Sequence, residues 1–369
     1  MKTVKIAFIG VGTISGIYLK NLTGIFKEVE VLGVCDLVKE RAEKAKADYG
    51  IPKLYETMHD AFADPEVDII LNLTRPYEHF DVTKAALEAG KHVYSEKPLA
   101  ASLEEGEALY RLAKDKGLML GGAPDTFLGA GIQTCMKLIR DGYIGKPVGS
   151  AAFMICHGHE TWHPDPDFYY QFGGGPMMDM GPYYITAMVN LMGRISEVMC
   201  ASRKSFENRL ITSQPFAGAN IEVNVGTYIA GTVKYGSGAI GTLFTTFDVH
   251  YPTQARFEIY GSEGTLIVPD PNTFGGPVQL YRPEDGQMRE IPLVYNYQEN
   301  SRGIGVADMA KALQTNRPFR VDSEQTFHVL DIITGFDRSA ESGEWIKMKT
   351  QYTPKASMIN GMMTGILDS

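Results

Sequence analysis

The chain lacks most of what would place it in a membrane, a secreted fold or a nucleic-acid complex. Across its 369 residues no apolar run approaches the roughly 20 needed to span a bilayer. The opening MKTVKIAFIG is too short, and too soon broken by glycine and threonine, to read as a signal peptide. Four cysteines, Cys35, Cys135, Cys156 and Cys200, are scattered without any C-x-x-C pair. That indicates neither a disulfide framework nor a structural zinc, and it suits a reducing cytoplasm. The net charge of −9 comes with no basic run, so nucleic acid is not an expected partner. No repeat, linker or low-complexity segment interrupts the chain. What remains is an ordinary globular balance, 44% hydrophobic and 21% charged, at a length natural for two domains.

The first half alternates strand and helix. Residues 2–9 (KTVKIAFI) read as a buried strand that closes on a glycine turn, Gly10-Val11-Gly12-Thr13-Ile14-Ser15, followed by a helical segment. Strand, glycine turn and helix in this order make a dinucleotide fingerprint. Gly10 allows the tight turn, and Gly12 lets a pyrophosphate approach the backbone. Ser15 stands where a small residue is needed for helix–strand packing. The helix start at Thr13 and Ile14 offers unpaired N–H groups to phosphate. The second strand ends at Asp36, about twenty residues beyond the turn, where an acid bonds the ribose 2′-hydroxyl and would repel a 2′-phosphate. NAD is therefore favoured over NADP, although Arg41 is near enough to leave NADP open; a polar strand end is the plainer alternative for Asp36. Helices over 39–49, 79–89 and 102–116 and strands at 67–74, 91–98 and 118–122 complete a doubly wound βαβ unit.

The second half turns β-rich. A helix over 132–141 leads into a strand at 148–155 and then a histidine- and aromatic-rich loop, CHGHETWHPDPDFYYQFGGG. Strands separated by Gly236-Ser237-Gly238 and Gly261-Ser262-Glu263-Gly264 imply an antiparallel meander, with late helices over 305–315 and 323–342. The expected class is an α/β Rossmann domain, residues 1–124, joined to an α+β domain, residues 125–369, with a large open, mostly antiparallel sheet. His157, His159 and His163 could be metal ligands, but no convincing catalytic zinc set completes them and no metal is expected. Trp162 and His163 suit a sugar, whose apolar faces stack on tryptophan; Tyr169 and Tyr170 are as readily packing residues.

Between the loop and an apolar run lies Gly173 to Tyr184, GGGPMMDMGPYY. A helix starting at Pro176 would put Asp179 and Tyr183 four apart on one face. A helix starting at Pro182 would leave Asp179 on its approach, since a proline seven residues in breaks the ladder. By itself this stretch reads as a capped helix N-terminus with a favourable acid. Lys97, between Glu96 and Pro98 at a strand end, sits where ligands bind in open α/β sheets, although a solvated lysine is the plainer reading.

The fingerprint, Thr74 followed five residues later by His79, and Glu96-Lys97-Pro98 together resemble the Gfo/Idh/MocA family of NAD(P)-dependent sugar oxidoreductases. The resemblance covers nearly the whole chain, most specifically residues 4–36, 92–100 and 157–184. It departs at Thr74-Arg75-Pro76-Tyr77-Glu78-His79, and again at Asp179-Met180-Gly181-Pro182-Tyr183, where the family has a histidine in place of Tyr183. The resemblance implies that Lys97, Asp179 and Tyr183 serve the reacting carbinol and also touch substrate. It implies that Thr74, His79, Glu96 and Lys97 join Gly10, Gly12, Thr13, Ile14 and Asp36 around the cofactor. It also implies a homodimer or homotetramer built through the open sheet face.

The implied activity is oxidation of a secondary hydroxyl of a sugar, glycoside or cyclitol by hydride transfer to NAD, or reduction of the ketone. Redox-neutral glycoside cleavage through a transient 3-keto sugar is a second reading. A cofactor-binding sensor that has lost the chemistry is a third. Tyrosine ionises near 10 rather than near 6.5, so Tyr183 would need a nearby cation such as Lys97 to act as a base.

Overall fold

The structure, a computed structural model, describes residues 3–251 and 256–368. Lys2 and Ala255, expected at strand starts, lie outside the described residues.

The first sheet is built from β1 (Val4–Ile9), β2 (Val29–Cys35), β3 (Lys53–Leu54), β4 (Ile69–Asn72), β5 (His92–Ser95) and β6 (Leu120–Gly122). Its strand order is β3-β2-β1-β4-β5-β6, and every pairing is parallel. The chain-order reversal between β1 and β4 opens a crevice beyond their carboxyl ends, the place where ligands bind in such sheets. β4 is buried at every residue, as a central parallel strand covered on both faces must be. The intervening helices are α1 (Ser15–Gly24), α2 (Lys39–Tyr49), α3 (Met58–Ala63), α4 (His79–Glu88) and α5 (Leu103–Lys116). Two of them start on complete capping boxes, Thr57 with Asp60 and Ser102 with Glu105, which satisfy first-turn amides reciprocally.

Helix α6 (Ala130–Arg140) leads into β7 (Pro147–Ile155). After α7 (Gly175–Asp179) and α8 (Gly181–Met192) come β8 (Ile195–Arg203), β9 (Asn208–Leu210), β10 (Asn220–Glu222), β11 (Tyr228–Tyr235), β12 (Ile240–Thr246) and β13 (Phe257–Gly261). β14 (Thr265–Ile267), β15 (Val278–Tyr281) and β16 (Met288–Ile291) follow, then α9 (Ile304–Thr315), α10 (Ser323–Ser342) and β17 (Ile346–Lys347).

Nine of these strands form a second sheet in the order β16-β15-β14-β13-β7-β12-β11-β8-β17. It is mostly antiparallel but not a pure meander. β7 and β12 pair in parallel, because β7 enters from α6 and is flanked by strands that arrive almost a hundred residues later. β9 and β10 form a separate hairpin.

Side chains alternate across the second sheet. Ile229, Val233, Leu243, Ala152 and Ile259 are buried. The opposite face carries Tyr228, Ile240 and Tyr260 exposed, with Phe153 and Phe244 half-buried among them. Among the described residues, no helix is long and apolar enough to cross a membrane.

Candidate active site

The segment 175–192 is two helices, not one. Pro182 has no N–H, so the carbonyl of Met178 cannot be paired in a continuous helix, and the ladder breaks. Met180 joins the pieces at φ −107° and ψ −24°. Asp179 therefore closes α7 and Tyr183 opens α8; the single helix from Pro176, with both side chains on one face, does not form. The break leaves the Asp179 carbonyl unclaimed as well, because the Tyr183 amide donates instead to Met180 O at 3.0 Å.

Lys97 fills that gap. Its Nζ donates to Asp179 O at 2.7 Å and to Asp179 Oδ1 at 2.6 Å. The two side chains are only 17% and 12% exposed, so water screens the pair weakly. Burial by itself would favour a neutral lysine, but the Asp179 carboxylate outweighs it and holds the ammonium above the ordinary 10.5. Burial likewise opposes the charge on Asp179, yet Lys97 and a bond from His159 hold its carboxyl well below the usual 3.8. That bond runs from His159 Nε2 to Asp179 Oδ2 at 3.0 Å.

Tyr183 lies alongside, its ring centre 5.5 Å from Lys97 Nζ. Its hydroxyl lies 3.5 Å from Nη2 of Arg302, which is itself held by Asn272 Oδ1 at 2.6 Å. Burial raises the phenol above its ordinary 10, and the opposing pull of Lys97 does not overcome it. The expectation that Lys97 could make Tyr183 a base at neutral pH is thus not met: desolvation outweighs the cation.

The turn that carries Lys97 is braced from behind. Glu96 is buried and accepts from Tyr18 Oη at 2.8 Å and from the Lys97 amide at 2.9 Å. His79 is buried too, with Nδ1 2.7 Å from Pro98 O and Nε2 3.0 Å from Thr74 O. Each of these residues, expected beside a cofactor, spends one polar atom on the backbone of this turn. Thr74 donates through Oγ1 to Asn72 Oδ1 at 2.7 Å.

The histidine-rich loop forms the other wall. The ring of His159 sits 5.2 Å from Trp162, 4.1 Å from Tyr169 and 4.8 Å from Phe247. Trp162 is 62% exposed at the mouth. His163 packs on Trp162 and Tyr169, and its Nδ1 accepts from the Asp165 amide. Tyr169 lines the site, whereas Tyr170 is fully buried and donates to Glu160. The loop is pinned by Arg209 at the start of the β9–β10 hairpin. Arg209 Nη1 reaches Glu160 Oε1 at 3.0 Å, and Nη2 reaches Asp248 Oδ1 at 2.6 Å. Among the described residues, no cluster of three or more metal-ligating side chains occurs.

Gly10 at the fingerprint turn has φ +94°, and a Cβ there would sit 2.7 Å from Leu73 O, so only glycine fits. A Cβ at Gly12 would meet nothing within 4 Å, and Gly12 and Thr13 are exposed. No side chain caps the start of α1. That open, uncapped amide end fits a phosphate group. Asp36 Oδ2 accepts from the Val11 amide at 2.6 Å and Oδ1 from Val38 at 2.7 Å, so its carboxylate also shapes the glycine turn.

Comparison with known families matches this architecture in two parts. The Gfo/Idh/MocA oxidoreductase family, NAD-binding Rossmann fold, matches residues 4–122, and the Gfo/Idh/MocA C-terminal domain matches residues 132–267. The chain belongs to the Gfo/Idh/MocA family.

This Gfo/Idh/MocA protein is similar to the scyllo-inositol 2-dehydrogenase (NAD(+)) of Bacillus subtilis (strain 168), at 27% identity over 267 residues, 72% of this chain and 73% of the relative. It is similar to the myo-inositol 2-dehydrogenase of Thermotoga maritima at 24% identity, over 72% of this chain and 75% of the relative. A levoglucosan dehydrogenase solved in complex with NADH shares the fold, with a TM-score of 0.81 at 20% identity over 95% of this chain and 100% of that one.

Two residues of the site escaped the sequence reading. His159 was considered there only as a metal ligand, although its H-x-H setting in a polar loop marked it as a polar group of some kind. Arg302 carries no local signal; it lies 119 residues from Tyr183 and is brought in by the turn before α9.

Proposed function

We propose that this oxidoreductase interconverts a secondary hydroxyl of a sugar, glycoside or cyclitol and the corresponding ketone, with NAD as the hydride partner. On this reading residues 1–124 hold the dinucleotide and residues 125–369 hold the substrate. The observation that carries the proposal is the Lys97–Asp179 pair, a weakly screened ion pair just past the end of β5 beside the crevice of the first sheet. The named activities of the inositol dehydrogenase relatives support the substrate class.

The dinucleotide, when bound, supplies hydride acceptance and donation; the chain's own residues handle the oxygen and its proton. The Lys97 ammonium donates a hydrogen bond to the carbinol oxygen and stabilises negative charge as it develops there. In ketone reduction it hands its proton to that oxygen; in oxidation the carbinol proton passes to the minor neutral-amine form of Lys97 as hydride leaves for NAD, so the oxidative rate rises with pH. Asp179 keeps Lys97 charged and aimed. The Tyr183 phenol, held by Arg302, is a second donor for a neighbouring hydroxyl. Trp162 and His163 offer an apolar ring face and a polar edge to the sugar. Asp36 favours NAD through the ribose hydroxyl. The open face around Tyr228, Phe244 and Ile240 serves a homodimer or homotetramer.

Turnover of NAD on a panel of sugars, glycosides and inositols tests the reading. Net NADH with at least one compound is the expected result. Glycoside cleavage without net NADH would move the protein to redox-neutral chemistry. Tight NADH binding with no product from any compound would make it a sensor.

A further inference from the structure

The Asp179 carboxylate has two oxygens, and each is held by a different element. Lys97, from the turn after β5, takes Oδ1 at 2.6 Å; His159, from the loop after β7, takes Oδ2 at 3.0 Å. An ionised carboxylate only accepts hydrogen bonds, so Nε2 of the His159 ring carries a hydrogen. The other ring nitrogen, Nδ1, is buried and has no hydrogen-bond partner. The residue is 8% exposed, and its ring is walled by Trp162, Tyr169 and Phe247. A residue kept in such a pocket for packing alone would be better apolar, because imidazole loses hydration there and regains one bond. That single bond is to Asp179.

The remaining partners of the site explain what the bond does. Asp179 ends a short helix, and the ladder breaks immediately after it, so its carboxylate is oriented by the side chains that bond it, Lys97 and His159. The Tyr183 hydroxyl is directed to Arg302, not to Asp179. Without His159, Oδ2 has no protein donor, and the carboxylate is free to rotate and share both oxygens with Lys97. The ammonium would then be drawn toward the helix end and away from the crevice.

Resting on the reading that Lys97 serves the carbinol oxygen, we propose that His159 is a positioning residue: its Nε2–H fixes the Asp179 carboxylate so that the Lys97 ammonium is presented to the substrate. His159 takes no proton from the substrate and is not itself a base in this scheme. The loop that lines the sugar site is thereby coupled to the proton-handling pair, since the same segment carries His159, Trp162 and His163.

The test compares His159→Phe with His159→Gln, which retains an N–H donor at a similar reach. Wild type and Lys97→Met run alongside, with kcat, KM and NADH affinity measured for each. His159→Phe is expected to lower kcat at least 100-fold with KM and NADH affinity within a few-fold of wild type, and His159→Gln to recover to within about tenfold. In an Asp179→Ala background, His159→Phe should add nothing further, because the bond is already lost. Wild-type kcat in His159→Phe, or a glutamine variant as impaired as phenylalanine, overturns the proposal. If His159→Phe does not fold, the glutamine variant in the wild-type and Asp179→Ala backgrounds decides by the same coupling. A Lys97→Met enzyme as active as wild type would instead defeat the underlying reading, so the two failures are distinguishable.

Discussion

Lys97 Nζ bonds the backbone carbonyl and the side-chain carboxylate of the same residue, Asp179. The helix break imposed by Pro182 frees that carbonyl, so a feature that weakens local structure becomes an anchor for the lysine. The consequence is a lysine locked in its charged form.

Its pH dependence follows from that lock. A lysine whose folded pKa is raised keeps its proton through neutral pH and loses it only above the ordinary 10.5. Ketone reduction should therefore show no basic limb below about pH 10. Asp179→Asn removes the holding charge. Burial then dominates and lowers the lysine pKa, so a basic limb should enter the range between about pH 7 and 10, with kcat at neutral pH down by roughly 10²–10⁴-fold. The pH–rate profile of the variant checks both; an unchanged profile contradicts the assignment.

Tyr183 gives a contrasting expectation. Its phenol stays protonated beyond pH 10, and its hydroxyl is a donor held near Arg302. Tyr183→Phe should weaken substrate binding by about one hydrogen bond, roughly 0.5–1.5 kcal/mol, raising KM up to about tenfold. The shape of the pH–rate profile should not move. A lost limb would return Tyr183 to the proton path.

The Arg209 cluster predicts a stability effect with a functional shadow. One guanidinium, 6% exposed, pairs with two carboxylates that are each 5% exposed. Arg209→Met would leave Glu160 and Asp248 buried without their cation, at a cost of about 3–5 kcal/mol. Urea unfolding should report that loss. Because Glu160 anchors the loop that carries Trp162 and His163, KM should rise in whatever fraction remains folded.

Asp125 predicts the opposite sign. It is buried, its Oδ2 caps the start of α9 by accepting from Gly303 and Gly305, and its Oδ1 has no partner. Burial pushes its pKa up to about 6 from 3.8. The folded chain then binds this proton more tightly than the unfolded one. The stabilisation is full below about 3.8 and is lost as pH rises through about 6. Asp125→Asn keeps an acceptor for the two amides and removes the titration. Relative to wild type the variant should gain on the order of 3 kcal/mol between pH 4 and 7. Unfolding curves at several pH values measure it.

What the sequence disclosed and withheld follows from range. The glycine turn, the strand that ends at Asp36 and the capping boxes at Thr57 and Ser102 are local patterns, and the first sheet could be drawn from them. The parallel pairing of β7 with β12 joins segments some ninety residues apart, and no local signal announces it. Pro182 did foreshadow the break between Asp179 and Tyr183, and only the packing of both short helices decided where it fell. His159 and Arg302 were illegible because their meaning lies in partners 20 and 119 residues away. Asp36, Glu96 and His79 carry a further part that their types and positions did not signal: each also bonds the backbone that shapes the site.

The central claim, that the Lys97–Asp179 pair handles the carbinol oxygen while the first sheet holds the dinucleotide, is tested most directly in Lys97→Met. NADH binding by fluorescence titration and single-turnover hydride transfer to a ketone substrate would be measured on the same sample. The account predicts NADH affinity within a few-fold of wild type and hydride transfer slowed by at least 100-fold; transfer at the wild-type rate would contradict it.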